Sequence, residues 1–206
     1  MLRSRITMIL FAVAAAALTL SFGAPTTKAQ AIAPDVFQVN YYSGANTRGV
    51  ADGTVRIVNP GTSGGTLCAN IYVFSPDQQL DECCSCPITP NGLLTLSVNN
   101  NLTNNTLTGR TRTSGVIKIV STGGAGGCNA ATPTGPGGAN PVTAGLRAWA
   151  THIQRLSTGA NAVTEEEFQD AGLSAAELAR ITDQCSDIGD NGSGSGICTC
   201  GAGTGP

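Results

Sequence analysis

The sequence has few charged side chains, few aromatic rings and a single histidine. Charged residues make up 12% of the 206 residues, aromatic residues make up 4%, and the net charge is −2. A nucleic-acid-binding domain normally carries a basic stripe, and this composition offers none. Metal centres and hydrolytic sites often depend on clustered histidines, so one histidine disfavours both classes. The abundant Gly, Thr, Asn and Ser instead indicate a turn-rich β protein.

Long apolar runs are also missing, except at the N-terminus. Two arginines in the first five residues precede an uncharged, mostly apolar stretch over residues 6–22, and small side chains follow at 29 and 31. This order is typical of a secretory signal peptide. We predict a signal peptide over residues 1–31, a secreted, periplasmic or cell-surface location, and no membrane span after cleavage. Removal of Arg3, Arg5 and Lys28 with the signal leaves 8 basic and 13 acidic residues, a net charge of −5.

The predicted mature chain is rich in cysteine. An even number of cysteines in an exported protein indicates disulfides, because oxidising compartments keep thiols paired. Eight cysteines allow too many pairings for the sequence to fix the connectivity. The vicinal Cys83 and Cys84 are expected to bond to different partners. The disulfide candidates are Cys68, Cys83, Cys84, Cys86, Cys128, Cys185, Cys198 and Cys200.

Residues 35–121 contain short apolar segments separated by turn sequences such as Asp52-Gly53 and Asn91-Gly92. Such spacing is typical of antiparallel β proteins, and no segment here has a convincing helical period. We therefore predict a mainly β fold, with an antiparallel β-sandwich-like domain over residues 32–121. The predicted strands cover residues 36–41, 54–58, 66–74, 93–98 and 116–120.

Alternation in two of these strands predicts their faces. In the first strand, Phe37, Val39 and Tyr41 share the apolar face. The strand over residues 66–74 has Leu67, Ala69, Ile71 and Val73 on one side, and Cys68, Asn70, Tyr72 and Phe74 on the other.

The character of the sequence changes after the last of these strands. Residues 122–141 are rich in Gly and Pro, which predicts a linker or a long surface loop, and Cys128 could tie this segment to an ordered part. Residues 142–206 are predicted to form a small helical, disulfide-stapled appendage with a cysteine-containing tail, which makes the whole chain α+β. Its first helix, over residues 142–156, is predicted from the spacing of Leu146, Trp149, Ile153 and Leu156.

The second predicted helix has a clear start signal. Ser174 and Glu177 form a capping box, and Leu173 with Leu178 match a hydrophobic staple. Leu178, Ile181 and Cys185 then fall on one helical face, so Cys185 is expected to point inward. A second capping box for a short turn is predicted at residues 164–167. The Gly/Ser-rich tail is expected to be ordered only if its two cysteines anchor it.

Two residues match parts of catalytic motifs, and both fit a structural role better. Ser63 lies in a G-x-S-x-G pattern, but a strand follows it where a nucleophile elbow needs a helix. His152 has no second histidine or acidic residue at ligand spacing on its predicted helix. We interpret Ser63 as part of a hairpin loop and His152 as a surface or half-buried residue. No catalytic residue is predicted.

Metal and redox motifs are similarly incomplete. The C-x-x-C at residues 83–86 has no second knuckle of the right spacing and no βαβ context. Residues 187–192 faintly match a calcium loop, but Gly189 and Cys198 occupy positions that need oxygen ligands. Residues 165–167 are interpreted as a solvated helix start. We therefore predict disulfides, and no metal or cofactor.

Residues 66–90, 146–154 and 196–200 resemble a group of exported, cysteine-rich bacterial proteins of unassigned function, associated with soil acidobacteria. The resemblance implies an envelope or extracellular setting. It implies no activity and no functional residues.

The sequence therefore predicts an exported, disulfide-stabilised structural, adhesive or envelope-associated protein without catalysis. The alternative is a secreted module that binds carbohydrate or a small polar ligand, and a hydrolase ranks third. A cell-envelope component or polysaccharide is the expected partner, and nucleic acid is not. The aromatic side chains available for stacking on a sugar are Tyr41, Tyr42, Tyr72 and Trp149.

Overall fold

The computed structural model describes residues 36–201 and contains two antiparallel sheets and one C-terminal α-helix. The predicted signal peptide lies outside the described residues. Within them, no helix is long or apolar enough to cross a membrane. The elements are β1 (Phe37–Ser43), β2 (Thr54–Val58), β3 (Leu67–Phe74), β4 (Leu80–Ile88), β5 (Leu93–Ser97), a π-helical turn (Val98–Leu102), β6 (Ser114–Gly123), β7 (Arg147–Arg155), β8 (Asn161–Glu167), β9 (Gln169–Asp170) and α1 (Ala175–Asp190).

The two sheets form the predicted sandwich. The first sheet has the strand order β4-β3-β6-β1-β9, and the second has the order β5-β2-β7-β8. All strand pairs are antiparallel. Apolar side chains from both sheets, including Ile57, Ile71 and Leu96, form one buried cluster between them. The mainly β fold with a disulfide-linked C-terminal helix is confirmed.

Strand β3 is buried on both faces, and its two faces are those that its alternation predicts. Leu67 and Ile71 lie in the core between the sheets. Tyr72 and Phe74 belong to a second cluster with α1, on the outer face of the first sheet. The helix therefore adds a third layer over part of the sandwich, which explains why all eight residues of β3 are buried.

The helix predicted over residues 142–156 is wrong, because this segment contains strand β7. Leu146, Ala148, Ala150 and His152 are buried with a period of two, and Leu156 is 46% exposed. Strand β7 pairs with β2 on one side and β8 on the other. These backbone hydrogen bonds outweigh the local helical spacing of the apolar residues, because tertiary context overrides a short periodic pattern.

The second sheet extends into the region predicted to be helical. Residues 164–167 lie in strand β8 instead of a capped turn, and residues 147–167 form two strands of the sandwich. The predicted helical appendage is therefore wrong for its first half. After β8, Phe168 N–H bonds to Ala148 O in the second sheet, and the chain then crosses to the first sheet, where Ala171 N–H bonds to Phe37 O. This crossing links the two sheets at one edge.

The second predicted helix is confirmed as α1. Ser174 is its N-cap, and its hydroxyl accepts a hydrogen bond from Glu177 N–H at 3.0 Å. Leu173 and Leu178 lie together in the outer cluster, as a hydrophobic staple requires. The Glu177 carboxylate accepts a hydrogen bond from Lys118 Nζ at 2.6 Å, so the N-terminal turn of α1 is tied to β6.

All eight cysteines form disulfides. Their Cα atoms lie 5.1–6.0 Å apart, within the usual range for such bonds. The vicinal Cys83 and Cys84 have different partners, as predicted. Because disulfides persist in oxidising compartments, this pairing indicates an oxidising environment. The bonds are Cys68–Cys128, Cys83–Cys185, Cys84–Cys198 and Cys86–Cys200.

The tail covers the free edge of β4. Cys83 N–H donates to Gly196 O at 2.8 Å, and Cys198 N–H donates to Cys83 O at 3.2 Å. The tail thus adds a short parallel bridge to the edge of the first sheet. An uncovered edge would expose unpaired backbone groups to other chains. The condition predicted for an ordered tail is met, because both of its cysteines are disulfide-bonded to β4.

Residues 124–141 form a surface loop against the outer face of the first sheet, one of the two alternatives predicted for 122–141. Cys128 bonds to Cys68 on β3. The Tyr72 hydroxyl donates to Ala130 O at 2.6 Å, and Ala130 is buried. The loop is therefore fixed at two neighbouring points.

We expect the double variant Cys83→Ser/Cys185→Ser to loosen α1 from the sandwich. Loss of a disulfide that closes a long segment typically lowers the free energy of unfolding by about 2–5 kcal/mol. Hydrogen exchange of the α1 amides should accelerate. The matched variant Cys68→Ser/Cys128→Ser should also lose stability, but it should leave the α1 amides protected. Equal protection of α1 in both variants would contradict this assignment.

Candidate ligand-binding site

Ser63 and His152 do not form a nucleophile and base pair. Ser63 lies in the loop between β2 and β3, and its hydroxyl donates to Gly65 O at 3.3 Å. This loop joins strands of different sheets, so the hairpin predicted there is wrong. The hydrogen-bond partner of the His152 ring is Asn40. Neither residue has the partner that nucleophilic catalysis needs.

The C-x-x-C segment is disulfide-bonded. The sulfur atoms of Cys84, Cys86 and Cys200 lie within 4.8 Å of one another, a spacing that could also suit a metal ion. A metal ligand must be a free thiolate, however. Each of these sulfur atoms is bonded to another sulfur instead. The disulfide interpretation of the motif is confirmed.

The acidic motifs belong to regular elements. Asp187 and Asp190 lie in the last turns of α1, so the segment that matched a calcium loop is largely helical. Residues 165–167, expected at a helix start, lie on the exposed edge strand β8. There Glu165 pairs with Arg56. Charged side chains on an edge strand discourage pairing with other chains.

Strand β1 places polar side chains between the sheets, against expectation. Phe37 and Val39, predicted on the buried face of a two-layer sandwich, pack in the outer cluster with α1. Gln38 instead donates to Leu146 O at 2.8 Å inside the sandwich, while its Oε1 atom is buried without a hydrogen-bond partner. Asn40 is likewise buried and donates to Glu166 O at 3.3 Å. These bonds connect β1 to the second sheet.

His152 is buried and held in one orientation by Asn40. Its Nε2 atom lies 3.0 Å from Asn40 Oδ1, which also accepts a hydrogen bond from Tyr41 N–H at 2.8 Å. Because that oxygen is an acceptor, the neutral ring carries its proton on Nε2. The Nδ1 atom is buried without a hydrogen-bond partner and lies 3.7 Å from Glu166 Oε2. The ring is thus committed to structural contacts.

Tyr41 stacks on this fixed imidazole. The ring centroids lie 3.9 Å apart and the planes differ by 20°. The tyrosine is 48% exposed, although the sequence grouped it with the apolar face of β1. One side of its ring is supported by His152, and ring surface remains open to solvent. An ordered, exposed aromatic ring of this kind is a ready contact surface for a ligand.

The Tyr41–His152 pair lines a cleft of about 490 Å³, within the range of small-ligand sites. The Tyr41 cleft lies between the loop after β1 and the strands β7 and β8. Hydroxyl and amide groups dominate its polar lining, with one guanidinium at the rim. These polar residues are Ser43, Thr47, Gln154, Arg155 and Thr164.

A glycine allows the wall of this cleft to form. Gly44 has a φ of +71°, a conformation that side chains disfavour. A Cβ atom there would lie 2.9 Å from Ile153 O. The loop after β1 can therefore approach β7 closely only with glycine at this position. The sequence shows a glycine at position 44, but the chain is so rich in glycine that this position does not stand out.

A second cleft lies beside the C-terminal half of α1, with a volume of about 380 Å³. Gln79, Gln184 and Asn191 supply amides, and Leu80, Leu107 and Ile188 supply apolar contacts. Its lining includes no aromatic ring and no cation, and Asp187 is its only charged residue. The Tyr41 cleft offers a more varied set of contacts, so it is the stronger candidate site.

A buried carboxyl pair sits at a bulge in β4. The register with β3 shifts there, so Asp81 is the extra residue beside Glu82. Arg112 Nε lies 3.5 Å from Asp81 Oδ2, and Asn105 N–H donates to Glu82 Oε1 at 2.8 Å. Burial raises the pKa of Glu82 to about 7. Burial also raises the pKa of Asp81, although Arg112 opposes that shift.

No family model, curated protein or solved structure matches the chain. The likeness to exported acidobacterial proteins remains a prediction. The candidate site therefore depends on geometry and chemistry alone.

The buried Glu82 predicts that stability falls as pH rises. The folded-state pKa of about 7 lies above the ordinary value of 4.5, so the folded state holds a proton that the unfolded state releases. The stabilisation is complete below pH 4.5 and is lost as pH rises through about 7. Glu82→Gln should flatten this part of the pH profile of the free energy of unfolding, measured with denaturant.

Glu177→Gln is the contrast for this experiment. Hydrogen bonds from Arg180 lead the interactions that lower the pKa of Glu177, so its stabilisation is present at neutral pH and lost on acidification. The two variants should change the profile in opposite senses. If the free energy of unfolding of Glu82→Gln had the same slope against pH as that of the wild type between roughly pH 5 and 7, Glu82 would be ionised throughout this range in the folded state, and the prediction would be wrong.

Proposed function

We propose that this chain is an exported, disulfide-stabilised adhesive protein that acts outside the cytoplasm by holding a sugar unit of a polysaccharide in the Tyr41 cleft. The observation that carries the proposal is the exposed Tyr41 ring, stacked on a buried, hydrogen-bonded His152 in a cleft of about 490 Å³. The proposal joins the adhesive role and the carbohydrate-binding alternative indicated by the sequence.

The mixture of groups in the cleft supports a sugar ligand. A sugar ring presents apolar C–H groups on its faces and hydroxyl groups around its edge. The Tyr41 ring suits the faces, and the hydroxyls of Ser43, Thr47 and Thr164 suit the edge. Neutral side chains such as these can both donate and accept hydrogen bonds.

The fixed His152 favours binding over catalysis. A general base must reach the proton that it removes. The Nε2 atom of His152 is bonded to Asn40, and its Nδ1 atom is buried beside Glu166. His152 therefore supports Tyr41 from behind. A rigid aromatic contact also lowers the entropic cost of holding a ligand.

The disulfides support a role in an exposed environment. Four bonds fix α1, the 124–141 loop and the tail to the sandwich, so few segments can open. Such reinforcement is common in secreted proteins and uncommon in the cytosol. The basic and apolar pattern of residues 1–31 agrees with export.

Tyr41→Ala should abolish most glycan binding, while Tyr41→Phe should retain it within a few-fold. The phenylalanine ring keeps the stacking surface, whereas alanine removes it, and loss of an aromatic contact in a binding site typically weakens affinity about tenfold or more. The oxidised protein, secreted by the expressing cell, would be tested on a glycan array, with calorimetry on the positive glycans.

Because Tyr41 is exposed, both variants should unfold at nearly the wild-type temperature, which serves as the folding control. The proposal fails if the wild-type protein retains no glycan on the array. It also fails if the alanine and phenylalanine variants bind equally well.

A further inference from the structure

The charges around the Tyr41 cleft differ from those of the chain as a whole. The predicted mature protein is acidic, and most of its cations are neutralised by neighbouring carboxylates. The residues in such ion pairs are Arg56, Arg112, Lys118, Arg147 and Arg180. Within residues 36–201, Arg48, Arg110 and Arg155 form no ion pair.

One of these three arginines lies at the cleft. Arg155 lines it, and its Nη1 atom donates to the backbone oxygen of Arg48 at 3.0 Å. This bond fixes one arm of the guanidinium at the rim. A guanidinium has five N–H donors in a planar fork, so the other donors of Arg155 remain available to a ligand.

No carboxylate lines the cleft to compete for Arg155. Two of the nearby acids on β8 have cationic partners, since Glu165 pairs with Arg56 and Glu167 pairs with Arg147. Glu166 is not among the residues that line the cleft, and its Oε2 atom lies 3.7 Å from His152 Nδ1. Among the described residues, Arg155 is therefore an unpaired cation beside a hydroxyl-lined cleft that contains an exposed aromatic ring.

We infer that the sugar held in the Tyr41 cleft is a uronic acid, with its carboxylate on Arg155 and its ring on Tyr41. This inference rests on the proposed function and names its ligand class. Arginine binds carboxylates through paired N–H bonds that are stronger than bonds between neutral groups. A single guanidinium suits the one negative charge of a carboxylate better than the two charges of a phosphate monoester.

The test compares acidic oligosaccharides with their methyl esters, which keep the rings and lose the charge. The probes are tetramers of galacturonic, glucuronic and mannuronic acid, measured by calorimetry with the oxidised wild-type protein. At least one acid should bind, and its ester should bind about tenfold more weakly. Added salt should weaken the acid more than the ester, because it screens the exposed charge pair.

Arg155→Gln should reduce the affinity for the acid to that of the ester and remove most of the salt dependence. Arg110→Gln is the matched control, since Arg110 also lacks an ion pair among the described residues and does not line the cleft. It should bind as the wild type does. Both arginines are exposed, so thermal unfolding should remain close to the wild-type curve.

The outcomes separate this inference from the proposed function. If acid and ester bind equally, or if only neutral glycans bind, and Tyr41→Ala weakens that binding, the uronic acid is wrong and the sugar site stands. The same conclusion follows if Arg155→Gln and Arg110→Gln bind the acid equally. If no glycan depends on Tyr41, the sugar site itself is wrong, and the uronic acid falls with it.

Discussion

Every disulfide in the described chain has one cysteine on the hairpin formed by β3 and β4. Because side chains alternate along a strand, consecutive cysteines on β4 point to different layers. Cys83 reaches outward to the helix, and Cys84 reaches inward to the tail. The hairpin therefore fastens the outer layer and its own free edge at once. A chain with few charges and a small aromatic content gains from such covalent bonds, since each restricts the unfolded state.

Features encoded by neighbouring residues could be predicted from the sequence. The alternation of β3 and the cap at Ser174 involve groups only a few positions apart, and the structure confirms both. The pairing of all cysteines also followed from their even number in a chain predicted to be exported. Strand β7 could not be predicted this way. Its apolar residues happen to fit a helical spacing, and only the neighbouring strands β2 and β8 select the extended form.

The candidate site could not be predicted from the sequence, for a related reason. Tyr41 and His152 are more than 100 positions apart, and the histidine ring on which Tyr41 stacks is bound by the inward-facing Asn40. An inward Asn breaks the polar-outside pattern on which face prediction depends. The role of Arg155 could not be predicted either, because the sequence does not show which arginines of a hairpin lack an acidic partner. The sequence offered Tyr41 as one of four aromatic residues that could stack on a sugar, but it could not show that His152 supports the Tyr41 ring.

The two edges of the first sheet are stabilised in different ways, one by disulfides and the other by hydrogen bonds. The cysteines concentrate on β4 at one edge, while β1 lies beside the short β9 at the other. The second edge is held by the chain crossing from β8 to β9 and by the buried amides of Gln38 and Asn40. Buried hydrogen bonds fix orientation closely, because leaving such groups unpaired is costly. The cleft can thus be rigid without a disulfide beside it, and its exposed face stays free for a ligand.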